Sequence, residues 1–372
     1  MPHSARMNRG IAASFAIASV SFGCEDAILT LGWNSTDTGT GALSDSASPP
    51  LGDGAGGSVL SCQTTGPGLT DCGAAGESCC TSLTVVGGTY YRTYANIGAG
   101  PTAEADPARV STFRLDKYLV TVGRFRQFVT AWNGGAGWAP SPGSGKHLHL
   151  NGGNGLNATG GGYEPGWSAS DDANITPTAA NLACVGRVVP DVEAGAHFGT
   201  WTVGVGAQEN LPITCANWSE AYAFCIWDGG FLPSEAEWGY AASGGSEQRQ
   251  YPWGTADPGS TNQYAIYGCY YPSGAGFCTG VENIAPVGSA VLGAAAWGQL
   301  DLAGSVWEWT LDWYAAYANP CTDCADFTVA TERSTLGGNF DTSTGSFPPI
   351  RHGNSPVDPG AYAYGFRCAR AP

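Results

Sequence analysis

Two imidazoles one residue apart, a C-x-x-C and a total of 13 cysteines are the features of this 372-residue chain whose types and spacing could do chemistry. His147-Leu148-His149 sets both rings on one side of an extended segment, which serves a metal when a third ligand arrives from elsewhere. Two histidines beside a neutral residue in a Gly-rich loop are more often surface or hydrogen-bonding groups, so a metal is the less favoured of two readings. Cys321-Thr322-Asp323-Cys324 would be a redox motif only inside a thioredoxin-like strand and helix. Pro320 and Asp323 put it in a loop, and a local disulfide is expected instead. Cys269 and Cys278 bracket a loop that a disulfide would close, and Cys215 and Cys225 flank a helix entry. Cys184 and Cys368 could pair with each other or with the cysteines at 62–80, and the connectivity stays open.

So many cysteines do not suit a reducing compartment, and the start of the chain agrees. Arg6 and Arg9 precede an apolar run from Ile11 to Phe22, too short to span a bilayer, so residues 1–23 read as a signal peptide. Ser21-Phe22-Gly23-Cys24 is similar to the lipobox of bacterial lipoproteins, with Phe22 a departure, and Cys24 is the expected lipidation site. The competing reading is ordinary cleavage, with Cys24 left for a disulfide. Lipidation would leave twelve cysteines, an even number that could all pair. The expected location is extracytoplasmic, as a cell-envelope lipoprotein or a secreted protein, with a membrane reached only through the lipid. The formal charge is −16, and −18 once the signal and its two arginines are gone. That balance excludes nucleic acid as a partner, because phosphate binding needs clustered Lys and Arg.

The elements that must position these residues come next. Residues 24–60 are a Gly/Ser/Thr-rich tether with almost nothing apolar to bury. Residues 61–83 carry Cys62, Cys72, Cys79 and Cys80 and need disulfides to hold a shape; a zinc knuckle would want paired C-x-x-C ligands. The globular part, 84–372, opens with a strand over 85–92 broken by Gly87-Gly88, and an alternating strand over 110–115. Thr121 caps a helix whose Val122, Phe125, Phe128, Val129 and Trp132 recur at helical spacing until Gly134-Gly135. Ser219 is the expected cap of a second helix. Ser234-Glu235-Ala236-Glu237 is a capping box opening a third. With 56 Gly and scattered aromatics, the fold class is α+β with few helices, low regular structure and several disulfides.

The blocks Pro212 to Trp227 and Phe231-Leu232-Pro233-Ser234-Glu235-Ala236-Glu237-Trp238 resemble the central signature of the sulfatase-modifying factor, or formylglycine-generating enzyme, superfamily. Tyr251-Pro252-Trp253-Gly254, Ala285-Pro286-Val287, the run Leu300 to Trp309, Leu336-Gly337-Gly338-Asn339 and Gly365-Phe366-Arg367-Cys368 follow in order. Upstream, Phe113 to Thr121 resembles the entry to the family's first helix. Blocks in the right order over 85–370 carry far more than one short motif. The resemblance implies a single domain over 84–372 related to the C-type lectin-like fold and stabilised by calcium.

The calcium ligands so implied are the side chains of Asp301 and Glu308 and the carbonyls of Gly304 and Val306, hard oxygens around a short loop. The alternative is that these acids cap turns or pair with Arg. At the family's other calcium site this chain has Thr279 and Val281, and no ion is expected there. Oxidase members use a cysteine pair that binds copper(I), and the resemblance places that pair at Thr342 and Phe347. Neither side chain can hold a soft cation, so copper chemistry is not expected. Iron relatives carry a His-x-x-x-His-x-Glu motif that this sequence lacks; iron would need another site, drawing on His147, His149 or His352. Trp307, Asn339, Thr342, Arg351 and His352 are the residues expected around a surviving groove, and ordinary packing is the alternative for each. Two functional classes follow. One is a calcium-stabilised module recognising a peptide, a glycan or an envelope protein. The other is an oxidoreductase acting on a protein cysteine or a small thiol through a different metal site.

Overall fold

The computed structural model describes residues 59–135, 137–184, 197–274, 276–348, 351–354 (backbone only) and 362–372. The signal peptide, Cys24 and nearly all of the tether lie outside the described residues. In chain order the elements are β1 Ser82–Val85, β2 Gly88–Asn96, β3 Pro101–Val110, β4 Phe113–Asp116, α1 Val122–Gly134, β5 Asn157–Ala158, α2 Ala179–Leu182, α3 Trp218–Trp227 and α4 Glu235–Ala242. Then come β6 Trp307–Trp313, β7 Cys321–Thr322, β8 Cys324–Ala325, β9 Arg333–Leu336, β10 Arg351–Asn354, β11 Tyr364–Gly365 and β12 Ala369–Arg370. This is the expected α+β chain, poor in regular structure.

Local chemistry explains the helix starts. The Thr121 side chain accepts from the Arg124 N–H, as its position before the apolar periodicity predicts. Ser234 and Glu237 form the expected reciprocal box at α4. The expectation of Ser219 as cap of α3 is corrected. Asn217 caps it in a box with Glu220, because an acid at the third helical position can reach back to Asn217 but none stands there relative to Ser219. The single strand expected over 110–115 is also corrected: β3 ends at Val110 and β4 begins at Phe113. Gly87 presses on that break, where an added Cβ would lie 2.5 Å from the Val110 carbonyl oxygen.

The strands form small sheets ordered β1-β4-β12, β10-β9-β6-β11, β2-β3-β7 and β5-β8. In the four-stranded sheet β9 runs antiparallel to both β6 and β10, and β11 runs parallel to β6. The largest core cluster packs α1 against α3, joining Phe125, Phe128, Phe224, Phe366 and Trp309. The β1-β4-β12 sheet and α4 share a second cluster through Phe113, Leu115, Phe231 and Tyr240.

Cys72 and Cys79 are buried with Tyr118, Leu119, Leu300 and Val306, so the cysteine-rich segment packs into the domain. A buried charge network fastens it. Arg124 bonds Asp116 at 3.0 Å, Asp228 at 2.7 Å and the Ser61 hydroxyl at 3.0 Å, while the Ser61 N–H donates to Asp228 at 2.7 Å. Arg370 completes it on Asp228 at 2.8 Å and Asp116 at 3.4 Å. Two guanidinium groups balance two carboxylates, which is what makes such burial tolerable.

Six disulfides join Cys62 to Cys80, Cys72 to Cys79, Cys184 to Cys215, Cys225 to Cys368, Cys269 to Cys278 and Cys321 to Cys324. The last two pairings are the expected local ones. A Cys184 to Cys368 pairing is excluded, because Cys184 meets Cys215 and α3 carries Cys225 to the C-terminal strand. Such a set is consistent with an oxidising, extracytoplasmic compartment. Among the described residues no helix is long and apolar enough to cross a membrane.

Candidate functional site

The turn after β9 brings the expected copper positions together. An added Cβ on Gly338 would lie 3.0 Å from the Thr342 hydroxyl and 3.4 Å from the Phe347 ring, so these two side chains flank one backbone point. Gly337 and Gly338 hold left-handed φ values of 101° and 73°, which suits glycine. Asn339 and Thr342 close the turn reciprocally. The Asn339 N–H donates to the Thr342 hydroxyl and the Thr342 N–H to the Asn339 side-chain oxygen, each at 3.0 Å.

Phe347 is buried, and its ring meets Tyr251, Trp253 and Tyr267 edge-on at 5.3 to 6.3 Å between centroids. At a position where the resemblance expects a copper-binding cysteine, this chain inserts a ring into an aromatic cluster. Trp307 is buried with Phe198, Phe340 and Ala363. Arg351 and His352 sit on β10 opposite Leu336 and Thr335, with their side chains outside the described residues. The structure thus joins Asn339, Thr342 and Phe347 directly, with Trp307 and β10 on neighbouring strands.

One polar pair at this turn was not anticipated. The Tyr362 hydroxyl donates to Asp341 at 3.1 Å, and burial raises the Asp341 carboxyl above its ordinary range. Nothing in the local sequence connects residues 21 apart.

The expectation of a metal ligand is corrected for His147. His147 is fully buried, with Nδ1 3.0 Å from Glu164 and Nε2 3.0 Å from Glu237, so neither ring nitrogen is left for a metal. Burial works against its charged form, but the charges of Glu164 and Glu237 prevail and raise it to about 10. His149 stacks on Phe231 at 5.7 Å, and burial lowers its affinity for a proton. His147 is thus a structural clamp between α4 and the loop holding Glu164, whereas both ring nitrogens of His149 are buried without a hydrogen-bond partner.

At the start of β6, both oxygens of Glu308 receive Arg367, from Nε at 2.7 Å and Nη2 at 2.8 Å. The Asp301 carboxylate accepts the Gly288 N–H at 2.7 Å, and burial, with Glu308 adding repulsion, raises it to about 6. The donor set therefore fits calcium in part. A cation at the Asp301 end would relieve an under-compensated buried carboxylate, whereas Glu308 would have to be shared with Arg367. Among the described residues no group of three or more His, Cys, Asp or Glu is arranged to hold a metal ion.

An α+β chain with few helices, short paired strands and disulfide staples has the architecture of the formylglycine-generating-enzyme-like, C-type lectin-like folds. PvdO from Pseudomonas aeruginosa shares it, with a TM-score of 0.50 at 19% identity over 83% of this chain and 100% of that one. The family model for the sulfatase-modifying factor enzyme 1-like domain matches residues 70–372, and the chain belongs to that family. A formylglycine-generating enzyme of Thermomonospora curvata is 28% identical over 294 residues, 74% of this chain and 86% of that protein. The inactive C-alpha-formylglycine-generating enzyme 2 of Bos taurus is 35% identical over 174 residues, 45% of this chain and about half of that relative, at 53%. The family match starts at residue 70, inside the cysteine-rich segment, in keeping with the burial of Cys72 and Cys79.

Proposed function

We propose that this protein is an exported recognition module of the sulfatase-modifying factor family, which binds a peptide, glycan or envelope protein and does not generate formylglycine by copper chemistry. One observation carries the reading. The positions for the copper-binding pair hold Thr342 and Phe347, and all twelve described cysteines are in disulfides, so none of them offers a thiolate for Cu(I). The inactive bovine relative fits this reading.

Lipid attachment at Cys24 and the tether to residue 60 belong to the proposal as the means of holding the module at the envelope. Calcium belongs to it at the Asp301 end, where a buried carboxylate is short of positive charge. Incubation of the purified, oxidised protein with a cysteine-containing sulfatase peptide and Cu(I), followed by aldehyde labelling, tests the core of it. No aldehyde is expected; its appearance at enzyme-like rates refutes the reading. Metal analysis of the native protein gives a second arm, with calcium expected and stoichiometric copper or iron refuting. Mass spectrometry of the native N-terminus decides lipidation.

A further inference from the structure

We propose that the Cys62–Cys80 bridge is a thiol–disulfide exchange site, at which Cys62 takes an incoming small-molecule thiolate and Cys80 is the leaving group. Two observations single it out from the other bridges, and neither depends on the groove. The first is access. Cys62 and Cys80 are both half-buried, and exposed Gln63, Thr64 and Thr65 follow Cys62. Each of the other five bridges has at least one cysteine in the core, namely Cys79, Cys215, Cys225, Cys278 and Cys321. Burial shields an S–S bond from an external nucleophile, so access alone ranks this bridge first.

The second is a hydrogen-bond relay onto one sulfur. The Ser61 hydroxyl oxygen lies 3.3 Å from Cys80 Sγ, and because a disulfide sulfur carries no hydrogen the hydroxyl is the donor. That oxygen also accepts from Arg124 Nε at 3.0 Å, which is compatible because a hydroxyl has one donor and two acceptor sites. The guanidinium thus polarises the hydroxyl, and its proton faces the sulfur on which negative charge develops when the bridge opens. The Cys62 sulfur instead lies 3.5 Å from the Leu69 carbonyl oxygen, which disfavours a thiolate there. The thiol of lower pKa leaves faster, so attack falls on Cys62. Donors near other bridges do not combine with access. The Thr214 hydroxyl, 3.6 Å from Cys215 Sγ, donates to the Phe198 carbonyl at 3.0 Å, and Arg92 Nη1 stands 4.0 Å from Cys324 Sγ in a bridge buried at both ends.

In the exchange the incoming sulfur bonds to Cys62 Sγ as the S–S bond breaks, and the electron pair leaves on Cys80 Sγ, where the Ser61 hydroxyl stabilises it. The products are a mixed disulfide at Cys62 and a Cys80 thiolate. A second thiolate then releases Cys62, and the two small thiols depart as their own disulfide, so the bridge is reduced and the thiol oxidised by two electrons. The scaffold survives the opening. Cys72–Cys79 still staples the segment into the core beside Tyr118 and Leu119, and the bond from the Ser61 N–H to Asp228 does not involve the bridge. Cys62 follows the tether read from the sequence, so the exchange attaches or releases a group where tether and domain meet.

The test incubates the full oxidised chain with reduced glutathione at mildly alkaline pH, traps free thiols with N-ethylmaleimide and maps both labels by mass spectrometry. Glutathione is expected on Cys62 and maleimide on Cys80, with opening about tenfold or more faster than at any other bridge and the circular-dichroism spectrum unchanged. Ser61→Ala should slow the opening about threefold or more, whereas mere loosening of the segment would speed it. Cys62→Ser, which frees the Cys80 thiol, gives a second readout should Ser61→Ala not fold: alkylation of Cys80 should titrate below the ordinary thiol value of about 8.5. The proposal is overturned if another bridge opens first, if glutathione settles on Cys80, or if the opened protein loses its fold. It is equally overturned if a folded Ser61→Ala opens at the native rate or faster, or if Cys80 titrates at or above the ordinary value.

Discussion

Replacing Asp228 by Asn removes one of four charges from the buried network that fastens the cysteine-rich segment to the domain. The side chains of Asp228, Asp116 and Arg124 are fully buried, so bulk water screens little of the change. Asp228 Oδ2 accepts from both Arg124 and Arg370, while Oδ1 accepts the Ser61 N–H. An asparagine cannot serve both sides. With its amide nitrogen at the Oδ2 position two guanidinium donors face a donor; flipped, the Ser61 N–H does. Two arginines would also remain against one aspartate. Breaking a buried pair by removing one partner costs about 3–5 kcal/mol, and that is the expected loss for Asp228→Asn. Guanidinium chloride unfolding of the oxidised protein measures it. Asp228→Asn combined with Arg124→Met restores charge balance and should recover at least about 1 kcal/mol of coupling. A loss below about 1 kcal/mol for the single variant would mean that water reaches the network, and the account of how the segment is held would fail.

Three further outcomes follow from the same physics. His147 has a folded pKa of about 10, raised from 6.5, so its stabilisation is fully present below pH 6.5 and is lost as the pH rises through about 10. The stability gap between the native protein and His147→Gln should therefore narrow across that window in pH-dependent unfolding; a constant gap would show that the charge is not retained. Opening Cys225–Cys368, which closes a separation of 143 residues, should cost about 5 kcal/mol on the chain-entropy account, measured as Cys225→Ala with Cys368→Ala. Thr342→Cys with Phe347→Cys should bind Cu(I) in a competition assay at neutral pH, although deleting the buried ring costs about 3–5 kcal/mol. Failure of a folded double variant to bind would show that the turn around Gly338 does not present these positions as a pair.

What could be read from the sequence was what lies within a helical turn or within a family block. The cap at Thr121 and the box at Ser234 depend on residues three apart, and both are in the structure. Asn217 was readable by the same rule, since Asn217-x-x-Glu220 completes a box and Ser219-x-x-Tyr222 does not. Partnerships across long separations were not: Glu308 with Arg367 lies 59 residues apart and Arg124 with Asp228 lies 104 apart. The acids expected to hold calcium are the clearest case. Their spacing suits a hard cation, but only the fold shows that one carboxylate already has a guanidinium on both oxygens. The Gly337-Gly338 turn was readable because it depends on backbone conformation, which two glycines announce, while the copper positions at Thr342 and Phe347 rest on the family resemblance. Copper binding depends on two side chains that the turn merely presents. A chain can therefore keep the turn, and with it the family fold, with a hydroxyl and a phenyl ring at those two positions. Where the scaffold and the reactive groups separate in this way, the fold alone does not carry the chemistry, and function has to be argued from the side chains the scaffold presents.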